Sequence, residues 1–150
     1  MSFFNGMNIS ASGMTAQRLR MDLISQNIAN VNTTRDENGD PYRRQTVLLS
    51  EQQSDTFGSI LEKTNLGRNK KVNGSGVKVV GIVEDHVTEM KKVYDPSHPD
   101  ADDEGYVSYP NVNTVTEMTN LIDASRSYEA NVTAFNATKN MLLKGLEVGK

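Results

Sequence analysis

An apolar stripe repeating every 3.5 residues occurs at each end of this 150-residue chain, and it restricts the fold more than any other feature. Steps of four and three from Phe3 give Phe3, Met7, Ser10, Met14, Gln17, Met21, Ile24, Ile28 and Val31, seven of them apolar. Steps of three and four from Met118 give Met118, Leu121, Ser125, Tyr128, Val132, Phe135, Lys139, Leu142 and Leu146, again with seven apolar. Stripes so narrow and so long suit a helix–helix seam better than the broad face of a helix on a small core. Each therefore needs another helix, and the first partner is the opposite end of the chain. The expected assembly seam consists of Met7, Met14, Met21, Ile24, Ile28 and Val31 with Met118, Leu121, Tyr128, Val132, Phe135, Leu142 and Leu146.

Local signals bound these helices. Thr114 followed by Glu117 reads as a capping box, and Gly149 beyond the last apolar position reads as a stop. The first helix ends within "NVNTT", where Asn30 and Asn32 favour turns. It is the weaker of the two, because Gly6 and Gly13 each cost about 1 kcal/mol relative to alanine. In "SYEANVTAFNAT" (127–138) Glu129 is the sole charge among small neutral residues, which permits close helix approach on several sides.

Between the helices the period falls to two. "YRRQTVLL" (42–49) and "VKVVGIVEDHV" (77–87) read as strands, with "MKKVYD" (90–95) and "GYVSY" (105–109) as weaker ones. "DENGDP" (36–41), "NLGRNKKVNGSG" (65–76) and "DPSHPDADDEG" (95–105) are loops by composition. The expected fold class is α+β: long terminal helices forming a coiled-coil-like pair around a small strand-rich middle. The boundaries are 1–31 for the N-terminal helix, 32–113 for the strand-rich outer domain and 114–150 for the C-terminal helix.

Only 36% of residues are apolar and Trp is absent. That argues for an elongated or partly disordered protein, or for a core completed by a partner. No apolar run approaches the ~20 residues that span a bilayer. "MSFFNGMNISASGM" has neither the basic nor the apolar region of a cleavable secretory signal. With no Cys, disulfides and thiolate-bound metals are excluded. The net charge of −3 is concentrated in residues 32–113, and no basic patch marks a nucleic-acid partner.

The segment "PDADDEGYV" (99–107) opens like a calcium-binding loop, with Asp100, Asp102 and Glu104 alternating ahead of Gly105. The twelfth position is Asn111, where such a loop needs a bidentate glutamate, and Pro96, Pro99 and Pro110 oppose flanking helices. An acidic, solvated turn entering a strand is the expected role. His86 and His98 lack a second imidazole or carboxylate pair at helical spacing, and "GSG" (74–76) matches no phosphate-binding pattern. Five N-x-[ST] triplets, at Asn8, Asn32, Asn73, Asn131 and Asn136, reflect Asn and Thr richness rather than glycosylation. No enzyme, cofactor, metal or small-molecule substrate is expected.

Three segments carry a family resemblance. "LISQNIANVNT" (23–33) resembles the N-terminal signature of flagellar rod and hook proteins, with Asn27, Ala29 and Asn30 matching its N-x-A-N core. "YDPSHPDADDEGYVSYPNVN" (94–113), containing Pro110, Asn111 and Asn113, and "ASRSYEANVTAFNATKNMLLKGLEVGK" (124–150) are similar to proximal rod proteins of the FlgC type. The resemblance implies a structural subunit of the basal-body rod, outside the cytoplasmic membrane. Such a subunit leaves the cell unfolded through the flagellar type III export apparatus, with an uncleaved signal. It then assembles into the tubular drive shaft that carries motor torque to the hook. Implied partners are copies of itself, other proximal and distal rod proteins, and the adaptor joining rod to membrane ring. A coiled-coil secretion-needle-like or adaptor subunit would share the helical ends, but not the N-x-A-N signature or the "PNVN" turn.

Overall fold

The computed structural model describes residues 3–36, 39–52 and 76–148. Among the described residues two long helices, α1 (Phe3–Ala29) and α2 (Thr114–Val148), flank four short strands. These are β1 (Gln45–Glu51), β2 (Val77–Glu84), β3 (Lys91–Tyr94) and β4 (Tyr106–Tyr109). This is the α+β arrangement that the change of period predicts. The loop expected over 65–76 lies, apart from Gly76, outside the described residues, as does the stop at Gly149.

β1 pairs with β2, and β3 pairs with β4, as two separate two-stranded sheets. β3 and β4 are antiparallel, with Lys91 opposite Tyr109 and Tyr94 opposite Tyr106. The Tyr94 and Tyr106 rings meet edge to face at 5.3 Å, an arrangement their quadrupoles favour. Asp95 N–H donates to the Gly105 carbonyl at 2.9 Å and closes this ladder. Gly105 is held at φ +81°, and a Cβ there would press on Tyr94 and Pro96, so the turn requires glycine.

Strand starts and stops have local causes. Residues 42–44 read as strand in the sequence, yet β1 begins only at Gln45. The Tyr42 N–H is bonded to the Thr33 carbonyl, and the Arg44 N–H to the Asn111 side chain, so neither can enter a ladder. β2 stops at Glu84 because the Asp85 carboxylate accepts the N–H groups of Val87 and Thr88, each at 3.0 Å. Aspartate offers the backbone this alternative to a strand.

At the start of α2 the cap is Asn113, whose Oδ1 accepts from Val115 N–H at 3.0 Å and Thr116 N–H at 3.3 Å. This corrects the capping-box reading of Thr114 with Glu117. Asparagine one residue earlier satisfies the orphan N–H groups, which leaves the Glu117 carboxylate free to turn inward.

The chain divides into two compact units. One comprises Met1–Gln17, Leu49–Val80 and Ser127–Lys150. Among its described residues only Ser10 and Ala16 are buried. There Gly6 lies against Thr138 and Gly13 against Asn131, so seven residues forward along α1 match seven back along α2. Ser12 ties the start of β2 to α1: its hydroxyl accepts from Val77 N–H at 3.1 Å and donates to the Ile9 carbonyl at 2.7 Å. The other unit comprises Arg18–Leu48 and Gly81–Arg126. It buries Leu23, Ile24, Val107 and Ala124, together with two polar side chains, Asn27 and Glu117.

Candidate functional site

Among the described residues of that second unit, a glutamate with 1% of its surface exposed and an asparagine with none are the two buried polar groups, and they touch. Burying an ionised carboxylate is costly unless it is paired and hydrogen-bonded. Glu117 meets both conditions. Its Oε1 accepts from Arg44 Nε at 2.9 Å and pairs with Nη2 at 2.8 Å. Its Oε2 accepts from Asn27 Nδ2 at 3.1 Å.

Asn27 uses its full hydrogen-bonding capacity, two donors and two acceptor positions. Nδ2 donates to Glu117 and to the Gln45 carbonyl at 2.9 Å, while Oδ1 accepts from Gln45 N–H and Tyr42 Oη, both at 2.9 Å. The carboxamide thus holds both backbone groups of Gln45 as a neighbouring strand would. Burial and the nearby carboxylates of Glu117 and Glu84 push the Tyr42 hydroxyl above its ordinary pKa, keeping it a proton donor.

Asn111 holds one backbone group of the preceding residue, Arg44, and bridges it to the end of β2. Its Oδ1 accepts from Arg44 N–H at 2.9 Å, and its Nδ2 donates to the carbonyls of Asp85 at 2.9 Å and Thr88 at 3.2 Å. Arg44 in turn accepts from Asp85 N–H at 2.9 Å. Two carboxamides therefore grip consecutive residues, 44 and 45, and aim the Arg44 guanidinium at Glu117.

The motif residues singled out in the sequence fall around this node. Asn27 and Asn111 are its clamps, Pro110 is buried beside Asn111 in sequence, and Asn113 caps α2. Ala29 is exposed at the last turn of α1. Asn30 closes that helix, donating from Nδ2 to the Gln26 carbonyl at 2.9 Å and accepting from Thr33 Oγ1 at 3.1 Å. Arg44, Tyr42 and Glu117 were missed by sequence reasoning. A carboxylate in line with Ala124, Asn131 and Thr138 at heptad spacing was the available signal.

The seam positions differ among themselves. Ile24 is buried; Met7, Met14, Met21, Ile28 and Val31 are half-buried. On α2, Leu121, Tyr128, Val132, Phe135 and Leu142 are half-buried, whereas Met118 and Leu146 are exposed, at 52% and 64%. Three pairs that meet across the helices, Gly6 with Thr138, Gly13 with Asn131 and Asn27 with Glu117, each sit one position away from the apolar stripe.

The acidic turn is occupied by internal donors. Asp102 Oδ1 accepts the N–H groups of Glu104 at 3.0 Å and Tyr106 at 2.8 Å, and Asp100 accepts from Thr34 Oγ1 at 2.8 Å with Arg35 at 3.6 Å. Among the described residues, no three His, Cys, Asp or Glu side chains gather as metal ligands would. Among the described residues, no helix is long and apolar enough to cross a membrane.

Known proteins match the chain over its whole length. Residues 7–35 match the family model described as flagella basal body rod protein, and residues 103–148 the flagellar basal body rod FlgEFG protein C-terminal model. Similar relatives include the flagellar basal-body rod protein FlgC of Bacillus subtilis, 51% identical over all of both chains. That of Borreliella burgdorferi is 42% identical, covering 99% of this chain and 98% of its own. That of Escherichia coli O157:H7 is 36% identical over all of both. Asn27 lies within the first matched segment, and Asn111, Asn113 and Glu117 within the second.

Proposed function

The chain belongs to the FlgC family of flagellar basal-body rod proteins and is a structural subunit of the rod, not an enzyme, and on that premise we propose how it assembles. As a rod protein it joins other rod components of the basal body. Its neighbours are copies of itself, other proximal and distal rod proteins, and the adaptor to the membrane ring. It reaches them through the flagellar type III export apparatus with an uncleaved signal. The subunit passes motor torque along the shaft to the hook.

One observation carries this reading. Where α1 and α2 meet, glycine lies against threonine and asparagine, and asparagine bonds glutamate. The apolar stripes are left incompletely covered: Met118 and Leu146 stay exposed, and Met7, Met14, Met21, Val132 and Phe135 are half-buried. Such stripes suit helices of neighbouring subunits, and close interdigitation there gives a shaft that does not slip.

Val132→Asp and Phe135→Asp test it. A carboxylate placed in a subunit contact costs several kcal/mol unless the contact opens. Each variant is expected in the exported fraction at wild-type level, in cells that do not swim. Normal swimming would show that this stripe is not an assembly surface.

A further inference from the structure

The node ties together segments far apart in sequence: the Arg44–Glu117 bond joins residues 73 positions apart. Glu117 is buried almost completely, so its carboxylate is tolerated only with its donors in place. One of those donors, Arg44, is held there by its backbone, since its N–H is bonded to Asn111 and its carbonyl to Asp85. The next residue, Gln45, is bonded through both backbone groups to Asn27. Loss of Asn111 lets Arg44 drift and leaves the buried charge with Asn27 as its remaining donor, and loss of Asn27 removes that donor as well as the hold on Gln45.

We infer that Asn111, acting through Arg44, and Asn27, acting on Glu117 directly and on Arg44 through the backbone of Gln45, are positioning residues, so that the first turns of α2 order only together with residues 42–45. Asn111 makes its hydrogen bonds to residues 44, 85 and 88, none of them in α2, yet it governs the stability of α2 at Glu117. A hinge between strand and helix is thereby replaced by a single cooperative joint. This inference concerns the folded chain itself and stands apart from the assembly surface proposed above.

The full-length chain reports the joint directly, because the Arg44 and Gln45 amides are the donors to the two clamps. Residue-resolved hydrogen exchange is measured in wild type, Asn111→Ala, Arg44→Met and the double variant. Asn111→Ala is expected to speed exchange at residues 117–121 about tenfold or more, as removal of a shared buried partner should. In the Arg44→Met background the same change should leave 117–121 unaffected while still loosening 85–88. Independent effects of the two substitutions at 117–121 would overturn the inference. Should Asn111→Ala not fold, Arg44→Met alone decides. Equal acceleration at 44–45 and at 117–121 supports the joint, and acceleration confined to 117–121 contradicts it.

Discussion

Two stretches of the same helix pair are held by opposite devices. From Gly6 to Gly13, α1 meets α2 through absence of side chain: glycine lies against Thr138 and Asn131, and little is buried around it. From Leu23 to Asn27 the contact is made by side chains, with Leu23 and Ile24 buried alongside a fully bonded Asn27–Glu117–Arg44 node. Close approach over small residues allows many neighbouring registers, since nothing polar is lost by sliding. A buried carboxylate allows one register, because sliding strands it without donors. The pair is therefore registered at one end and adaptable at the other, which suits the proposal that the terminal segments fit neighbouring subunits.

The largest expected effect tests the registered end. Glu117→Ala leaves Asn27 Nδ2 and the Arg44 guanidinium without their shared acceptor. Loss of a buried partner of this kind costs about 3 kcal/mol here, the low end of the usual range, because Arg44 remains 27% exposed and can reach water. A urea midpoint close to wild type would remove the node from the account. The adaptable end should respond less. A Cβ at Gly13 would stand 2.8 Å from Asn131 Oδ1, and that carboxamide is tethered by its Nδ2 to the Ser127 carbonyl at 2.8 Å. Gly13→Leu is expected to cost about 1–3 kcal/mol as overpacking, again read from the urea midpoint.

Titration sharpens the contrast further. The raised pKa of Tyr42 means that folding favours the neutral hydroxyl. Its contribution is complete below the ordinary tyrosine value of 10.0 and is lost as pH rises through the higher folded value. Tyr42→Phe should cost about 1 kcal/mol at neutral pH for the lost hydrogen bond to Asn27. It should also flatten the alkaline decline in melting temperature seen in the wild type; an unchanged decline would assign that decline to other groups. Smallest of all is Gly6→Ala. A Cβ there meets only the Thr138 methyl at 3.8 Å, so the helix gains up to about 1 kcal/mol without a clash. A loss of stability would mean that Gly6 is held closer than this.

Much of the architecture was legible because it is written in local periodicity. Stripes at 3.5 gave two helices, alternation gave β1 to β4, and a glycine after the acidic run placed the turn into β4. The node was not legible, since its parts are distant in sequence and each has a local alibi. Glu117 stands where a capping carboxylate would, and only the neighbouring Asn113 displaces it from that task. Arg44 follows Arg43 in a segment that reads as strand, and nothing local reveals that its N–H is claimed by Asn111. Asn27 and Asn111 were singled out through family motifs. Their chemistry, a carboxamide serving as a strand edge, becomes visible only once Gln45 and Arg44 are placed beside them.

The claim that one end of the pair is registered and the other adaptable is tested most directly by hydrogen exchange on the dilute full-length chain. Local stability follows buried apolar contact and bonded backbone. Residues 23–27, 44–45 and 117–124 should therefore exchange slowly, while 4–14 and 131–147 exchange much faster and gain protection only in assembled rods. Isolated helical segments owe most of their stability to packing, and the described residues of the terminal stretches bury few side chains. Equal, slow exchange along the whole of α1 and α2 at micromolar concentration would contradict this account.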